Sequence, residues 1–189
     1  MRYGSEDSRA LVHAAAGLPA ILLPFISHEA ALAMAGFAIA FNVIVLPRTP
    51  LGRRWKKHRS LMGVILYPVT VLALLLYFGD QNYLPVVAGW GVLAFGDSAA
   101  SVIGRRWPLR PLPYGDGKSI GGVCAFMAGA WVGCFALANH IGIGDLQSAA
   151  IFAFFAAVLG ALVESLPIPV NDNLTAPIAV AALISVMGF

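Results

Sequence analysis

The sequence predicts an all-α integral membrane protein of about seven transmembrane helices, with a cytoplasmic N-terminus and the C-terminus outside. Three observations lead to this prediction. The 189 residues are 59% hydrophobic and only 11% charged, whereas charged residues make up about 25% of an average soluble domain. Seven apolar runs are long enough to cross a bilayer as helices. The basic residues all fall on one side of the resulting layout, as is typical of cytoplasmic segments.

The seven runs follow one another with short connectors, so we expect a single integral membrane catalytic domain over residues 1–189. The approximate bounds of the runs are 10–27, 29–46, 61–79, 84–104, 119–139, 147–166 and 173–189. In the fifth run a small residue recurs at every fourth position, and this spacing favours close packing between membrane helices. The stripe consists of Gly121, Ala125, Gly129 and Gly133.

The twelve Lys and Arg residues lie in the N-terminal segment, in or next to 47–60, and in 105–118. Basic residues that all lie on one side of the membrane indicate topology and contact with anionic lipid headgroups. We therefore expect no nucleic-acid partner. The layout predicts a multi-pass protein, of the cell inner membrane, whose polar motifs face the cytoplasm. Nothing in the sequence sets an oligomeric state.

The fourth run carries a carboxylate close to its end. Asp97 follows Gly96, Ser98 is its neighbour, and Ser101 lies one turn further along the same helix face. A carboxylate inside a membrane segment is costly, and its presence indicates a functional site. The alternative is an acid at the water line that merely ends the apolar run.

A second acidic group spans the connector between the sixth and seventh runs. Glu164 lies near the end of the sixth run, and Asp172 and Asn173 follow two prolines that favour an extended turn. Carboxylate and amide oxygens suit a hard cation such as Mg²⁺, which also takes substrate phosphates as ligands. The sequence therefore predicts Mg²⁺ or Mn²⁺ at the acids Asp97, Glu164 and Asp172.

The connector before the fifth run ends in Gly117-Lys118-Ser119. It is not a P-loop, because Leu112 stands where that motif requires its first glycine. Ser119 can still cap the following helix, whose free N–H groups would attract an anion, and Lys118 adds a positive charge. The alternative is an interfacial lysine that only marks topology.

Two further elements have both a functional and a structural interpretation. Arg105 and Arg106 can hold phosphates in bidentate geometry, although as topology markers they need no such role. His13, in the first run, is either a further site residue or a packed, hydrogen-bonded histidine.

Together these motifs resemble a known enzyme family. Residues 96–106, Gly-Asp-Ser-Ala-Ala-Ser-Val-Ile-Gly-Arg-Arg, resemble the G-D-[AS]-x-A-[AS]-x-x-G-[RK] signature of CTP-dependent lipid-alcohol kinases. That family includes dolichol kinase, phytol kinase and the CTP-dependent diacylglycerol kinase of fungi, within the phosphatidate cytidylyltransferase-like superfamily. Three other segments are similar to motifs of the same family: Lys118-Ser119-Ile120-Gly121-Gly122, Glu164-Ser165 with Asp172-Asn173-Leu174 and Pro177, and Arg9 with His13.

The resemblance implies an enzyme that transfers the γ-phosphoryl group of CTP to a membrane-dissolved alcohol, with Mg²⁺ or Mn²⁺. The alcohol would be a polyprenol, a phytol-like isoprenoid or diacylglycerol. The implied catalytic residues are Asp97, Lys118, Glu164 and Asp172, of which the three acids would contact the metal. The implied nucleotide-binding residues are Gly96, Ser98, Ser101, Arg105, Arg106, Gly117, Ser119, Asn173 and His13.

The chain departs from the family pattern at three positions. Gly121 stands where the family usually has Glu, Val123 replaces a Ser or Thr, and Ala10 replaces a Lys. Two alternative functions are a phosphatidate cytidylyltransferase-like enzyme that forms a CDP-lipid, and a small transporter or flippase. The cytidylyltransferase alternative is disfavoured because the chain lacks the S-x-x-x-R-D and G-H-G-G elements that are typical of phosphatidate cytidylyltransferases. The second is disfavoured because we find no internal repeat and the polar groups gather at one interface.

Overall fold

Helices form wherever the sequence predicts an apolar span. The computed structural model describes residues 3–57, 61–79, 82–114 and 117–189; Arg2 and Arg59, two of the basic residues, lie outside them. The α-helices in the described residues are α1 (Tyr3–Ala15), α2 (His28–Ala40), α3 (Pro50–Lys57), α4 (Leu61–Phe78), α5 (Tyr83–Gly91), α6 (Asp97–Arg106), α7 (Ile120–Ile141), α8 (Leu146–Ser165) and α9 (Asp172–Met187). Four shorter pieces complete the spans: 3₁₀ turns at Leu18–Phe25 and Leu46–Arg48, and π-helical turns at Phe41–Val45 and Val92–Gly96.

Five of the predicted spans are long and apolar enough to cross a membrane, by length and composition. They are Asp7–Phe25, His28–Arg48, Tyr83–Arg106, Ile120–Ile141 and Leu146–Ser165. The other two predicted spans correspond to shorter apolar helices, α4 and α9. The 16 residues of α9 rise about 24 Å, less than the hydrocarbon core of about 30 Å. The all-helical prediction is therefore confirmed, whereas the count of seven crossings remains a prediction.

Local sequence signals define where several of these helices begin. A side-chain oxygen accepts a hydrogen bond from an N–H of the first turn in α2, α5, α7, α8 and α9, as is typical of an N-cap. The capping residues are Ser27, Asn82, Ser119, Asp145 and Asn171. In the first span, Pro19 and Pro24 coincide with the change from α1 to a 3₁₀ turn, because proline cannot donate the backbone bond that an α-helix needs.

The centre of the bundle is formed by α5 and α7, with α8 and α9 packed beside them. The small-residue stripe on α7 allows the π-helical turn at Val92–Gly96 to pack closely against this helix, as its four-residue spacing predicts. A methyl group at Gly133 would lie 2.1 Å from the ring of Phe95, and one at Gly129 would lie 2.5 Å from the Phe95 carbonyl oxygen. In contrast, α2 lies at the periphery and exposes Phe37 and other apolar side chains.

The helices bring the polar connectors to two opposite ends of the bundle. At one end, the Asn82 side chain donates to the carbonyl of Phe189, and the His140 ring is 2.9 Å from the carbonyl of Ile21. At the other end, Asp7 pairs with Arg105 and Lys118 pairs with Asp172. Segments far apart in sequence thus meet at one end, where the predicted site residues lie.

The membrane orientation of the two ends is predicted from charge. If the end that carries Lys118 faces the cytoplasm, a reporter fused before Arg9 or inserted in 47–57 should be inaccessible from outside. A reporter after Phe189 should be accessible, because the positive residues hold their segments inside. Protease protection or a paired enzymatic reporter fusion measures this. A C-terminus on the same side as the N-terminus would contradict the layout.

Candidate active site

The acidic residue of the fourth span lies directly after a π-helical turn. Asp97 begins α6, and Val92–Gly96 forms the π turn that joins it to α5. Such turns occur often at functional sites. The Asp97 side chain is 22% exposed, and it lines a cavity of about 380 Å³ together with Ser101. The predicted shared helix face of Asp97 and Ser101 is therefore confirmed.

Lys118 occupies the centre of the polar site. Its ammonium group lies 3.2 Å from a carboxylate oxygen of Asp172 and 3.5 Å from one of Glu164. It also donates a hydrogen bond to the backbone carbonyl of Glu164. One cation thus joins the connector before α7 to the end of α8 and the start of α9. This pairing was not predicted from the sequence, which indicated either a phosphate contact or an interfacial lysine that marks topology.

Glu164 and Asp172, predicted as metal ligands, thus share a lysine as their counter-charge. Among the described residues, no group of three or more His, Cys, Asp and Glu side chains is placed to hold a metal ion. The donor chemistry still fits Mg²⁺, because this ion is usually bound by one or two carboxylates together with substrate phosphates and water. The candidate protein ligands for such a complex are Asp97, Glu164 and Asp172.

Ser119 caps α7, as predicted. Its hydroxyl oxygen accepts a hydrogen bond from the N–H of Gly122, with a length of 3.2 Å. The expectation of free N–H groups at this terminus was wrong, because the preceding loop folds over it. The N–H of Ile120 is bonded to the carbonyl of Arg110, and that of Gly121 to the carbonyl of Pro108. The helix dipole and Lys118 remain to attract an anion.

The loop over α7 explains why glycine replaces the family's usual glutamate. A β-carbon at Gly121 would lie 1.9 Å from the carbonyl oxygen of Trp107. We expect Gly121→Ala to lower the free energy of unfolding by about 1–3 kcal/mol, as overpacking typically does. Thermal unfolding in detergent measures the effect.

Gly36 on α2 provides the matched control for that substitution. Nothing lies within 4 Å of a β-carbon there, so Gly36→Ala should be neutral or stabilise the helix by up to about 1 kcal/mol. Equal stability of the two variants would contradict the close contact at Gly121.

Arg105 and Arg106, predicted to contact phosphate, both pair with Asp7 in α1. Each guanidinium lies 2.9 Å from one oxygen of the Asp7 carboxylate. Arg105 also lines the 380 Å³ cavity, so the pairing positions its side chain at the cavity wall. Asp7 was missed as a site residue, because an acid in the first residues of a chain carries no local signal of a partner near residue 105.

Three other predicted site residues contribute to the framework around the cavity. Ser98 is buried and donates to the carbonyl of Ala10, which ties α6 to α1. Gly96 lies where a β-carbon would be 2.9 Å from the ring of Phe126. Neither Ser98 nor Gly96 lines a described cavity, so the geometry gives these two residues no direct contact with a ligand. Gly117, in contrast, lines the 380 Å³ cavity and has a positive φ of 77° that favours glycine.

Asn173 connects α9 to α4 beneath the acidic cluster. Its side chain donates to the carbonyl of Gly63 at 2.8 Å, and its own carbonyl accepts from the Thr70 hydroxyl. Its N–H is bonded to the side chain of Asn171. These bonds fix the start of α9, where Asp172 lies, against α4; the implied contact of Asn173 with nucleotide stays a prediction.

His13 is brought to the site by α1. The ring is 3% exposed, and its Nδ1 atom lies 3.6 Å from a carboxylate oxygen of Asp97. Neither ring nitrogen has a hydrogen-bond partner among the described residues. His13 is therefore packed, as one interpretation predicted, but the hydrogen bonds that this interpretation also predicted are missing among the described residues.

Two polar cavities meet at Asp97 and Lys118, which line both. The first, of about 380 Å³, lies against α6, α7 and α8 and also includes Ser119 and Glu164. The second, of about 530 Å³, lies beside α9 and the connector 166–171, and it includes Arg9, Asp172 and Asn173. The site therefore presents a lysine, arginines, acids and small residues in a continuous polar region at one end of the bundle.

Comparison with curated proteins identifies relatives that are named as probable phytol kinases and as a farnesol kinase. The chain is 27% identical over 141 residues to a probable phytol kinase 1 from Oryza sativa subsp. japonica; the match covers 67% of this chain and 42% of the relative. It is 29% identical over 130 residues to a probable phytol kinase 1 from Glycine max, covering 65% of this chain and 43% of the relative. It is 25% identical over 131 residues to a farnesol kinase from Arabidopsis thaliana, covering 66% and 42%.

These relatives confirm the resemblance to the lipid-alcohol kinase family. The chain spans less than half the length of the curated relatives that it matches, and those relatives are chloroplastic proteins by name. No family model matches the sequence. No solved structure matches it.

Proposed function

We propose that this protein is a membrane kinase that transfers the terminal phosphoryl group of a nucleoside triphosphate, CTP by family resemblance, to an isoprenoid alcohol. The main support for the proposal is that one cavity of about 380 Å³ is lined by Asp97, Lys118, Glu164 and Arg105. The relatives named phytol kinase and farnesol kinase support the isoprenoid class of substrate. The cytoplasmic orientation of this cavity is part of the proposal.

The chemistry required of the protein is positioning and charge neutralisation, since phosphoryl transfer involves little covalent participation by the enzyme. The alcohol oxygen attacks the terminal phosphorus, and the bond from that phosphorus to the bridging oxygen breaks. A nucleoside diphosphate leaves, and the hydroxyl proton passes to a carboxylate of the site or to water. Lys118, which lines both polar cavities, would contact the charged phosphates.

A divalent cation would screen the phosphate charges when it is bound with the nucleotide. In the absence of nucleotide, Lys118 pairs with both Glu164 and Asp172. A nucleotide–metal complex would redistribute these contacts, with Lys118 turning to phosphate and the carboxylates turning to the metal. This exchange requires no large movement of the backbone, because all three side chains already lie together.

Product analysis tests the proposed reaction. Purified protein in lipid vesicles is incubated with farnesol or phytol and γ-labelled CTP, and the lipids are then extracted. A kinase transfers the label to a lipid monophosphate and releases CDP. A cytidylyltransferase acting on a lipid phosphate would instead release labelled pyrophosphate and form a CDP-lipid. Comparison of CTP with ATP and GTP in the same assay determines the donor.

Metal dependence is a separate prediction. We expect EDTA to abolish the transfer and Mg²⁺ or Mn²⁺ to restore it. Glu164→Gln and Asp172→Asn should each lower the rate and raise the metal concentration needed for half-maximal activity. The loss in the double variant should be smaller than the sum of the two single losses, because residues that share one ion are not independent. Undiminished transfer in EDTA would contradict the metal assignment.

A further inference from the structure

A third cavity, of about 460 Å³, lies between α2 and the helices α1, α3, α4 and α5. Its volume is within the range of about 300–1,000 Å³ that is typical of small-molecule sites. The lining is almost wholly apolar, with Val12, Met34, Ala38 and Val71 among its residues. Such a lining does not suit a nucleotide.

Most polar groups on the wall of this apolar cavity are bonded to the protein itself. The Asn42 side chain donates to the carbonyl of Val64, and the Thr49 hydroxyl donates to that of Leu46. The indole N–H of Trp90 is bonded to the hydroxyl of Tyr67. These groups need no ligand.

Two wall residues are exceptions. The His13 ring nitrogens and the indole N–H of Trp55 are buried without a hydrogen-bond partner among the described residues. Burying such groups unbonded is unfavourable, so each is a candidate contact for a ligand. Neither residue lines a polar cavity. His13, however, contacts Asp97, which lines both of them.

The apolar cavity adjoins the polar site along α1 and α4. On α1, Arg9 lines the 530 Å³ polar cavity, and Val12 and His13, one turn later, line the apolar cavity. On α4, Gly63 lines the polar cavity and Val64 lines the apolar one. The 3.6 Å contact between His13 and Asp97 therefore bridges the two.

The apolar cavity also lies close to the lipid. Its outer wall is α2, a peripheral helix, and Phe41 at the end of that helix both lines the cavity and is 39% exposed. The neighbouring side chains Val43 and Ile44 are exposed and apolar as well. A molecule dissolved in the bilayer can therefore approach the cavity at the end of α2 without crossing water.

We propose that this cavity holds the hydrocarbon chain of the alcohol substrate, with the hydroxyl group bonded to the His13 ring beside Asp97. The inference rests on the proposed function and adds the place and direction of the lipid. The chain lies along the apolar wall, and its oxygen lies at the junction with the polar cavities. A nucleotide phosphate at Lys118 would then approach the hydroxyl from the other side of Asp97.

A pair of alanine substitutions on one helix tests the assignment. Ala38 lines the cavity, whereas Ala33 on the same helix is exposed and does not. Ala38→Phe should fill the cavity and raise the KM for the alcohol by roughly tenfold or more, the scale on which apolar pockets discriminate by size. The KM for the nucleotide should not change. Ala33→Phe should behave as the wild type in both respects.

Binding is measured independently of turnover with a farnesol analogue that carries a diazirine near the end of its chain. After photolysis in vesicles without nucleotide, we expect labelled peptides from 34–42 and 64–71. Ala38→Phe should lose this labelling and Ala33→Phe should keep it. The label map of the wild type requires no variant, so it remains informative if Ala38→Phe does not fold.

The outcomes separate this inference from the proposed function. Labelling confined to other helices, or unchanged labelling and KM in a folded Ala38→Phe variant, would overturn the cavity assignment even if the protein is a kinase. The expected labelling without any phosphoryl transfer by the wild type would support the cavity as a lipid-alcohol site and overturn the kinase function.

Discussion

Asp97→Asn is expected to reduce the rate of phosphoryl transfer by roughly a hundredfold or more, the usual effect of removing one preorganised electrostatic contact. The amide keeps the shape of the side chain and removes its charge. Asp97 is the residue at which the two polar cavities and His13 meet, so the loss affects both substrates. Insertion should persist, since a neutral amide is cheaper to bury in a membrane segment than a carboxylate. Initial rates with saturating nucleotide and alcohol measure the effect.

Asp145→Asn is the matched control for this substitution. Asp145 caps α8 at the opposite end of the bundle, where its side chain accepts a hydrogen bond from the N–H of Ser148. That bond holds the pKa of the Asp145 carboxyl below its usual value. Asparagine is an equally good N-cap, so both activity and stability should be retained. Normal turnover by Asp97→Asn would leave Asp97 as no more than an interfacial acid.

Features of the fold that depend on residues near in sequence were predictable. The spacing of Asp97 and Ser101 follows from helix geometry, and the cap at Ser119 follows from residue type and the apolar run after it. The close approach at Gly129 and Gly133 follows from a four-residue repeat of small side chains. Each of these needs only local geometry.

Contacts between distant segments were not predictable in the same way. Asp7 and Arg105 are 98 positions apart, and charge alone does not select this pair from the other possible pairs. The resemblance groups Lys118 with the acids as catalytic residues, but its position between Glu164 and Asp172 depends on how α7, α8 and α9 pack. His13 could be packed or functional on sequence grounds, and neither its unbonded ring nitrogens nor its distance from Asp97 could be predicted from the sequence.

Gly121 also has a role that local sequence does not reveal. In sequence it replaces a glutamate and removes a charge from a site motif. In the fold, the Trp107 carbonyl fills the space that a side chain would occupy. The loop over α7 and the glycine beneath it are therefore one structural feature. The carboxylates of Glu164 and Asp172 remain near Lys118 without a glutamate at position 121.

Lys118→Met is expected to cause the second large loss, again roughly a hundredfold or more in rate. The substitution removes the cation that contacts Glu164 and Asp172, and it removes the proposed phosphate contact. Part of the damage would be structural, since two neighbouring carboxylates would lose their counter-charge. The rate alone therefore does not separate the two roles, and thermal stability in detergent must be measured beside it.

A compensated variant separates the two roles of Lys118. Combining Lys118→Met with Glu164→Gln and Asp172→Asn removes the unpaired charges, so the stability lost in Lys118→Met should largely return. Because Glu164 and Asp172 are also proposed metal ligands, the reference for nucleotide binding is the double variant Glu164→Gln/Asp172→Asn, which keeps Lys118. The triple variant should bind nucleotide more weakly than this double variant if Lys118 contacts phosphate, because a neutral methionine cannot replace the positive charge. Equilibrium binding of a fluorescent CTP analogue provides a measurement that does not depend on turnover. Recovery of nucleotide affinity to that of the double variant, together with stability, would mean that Lys118 holds the acids in place and does nothing more.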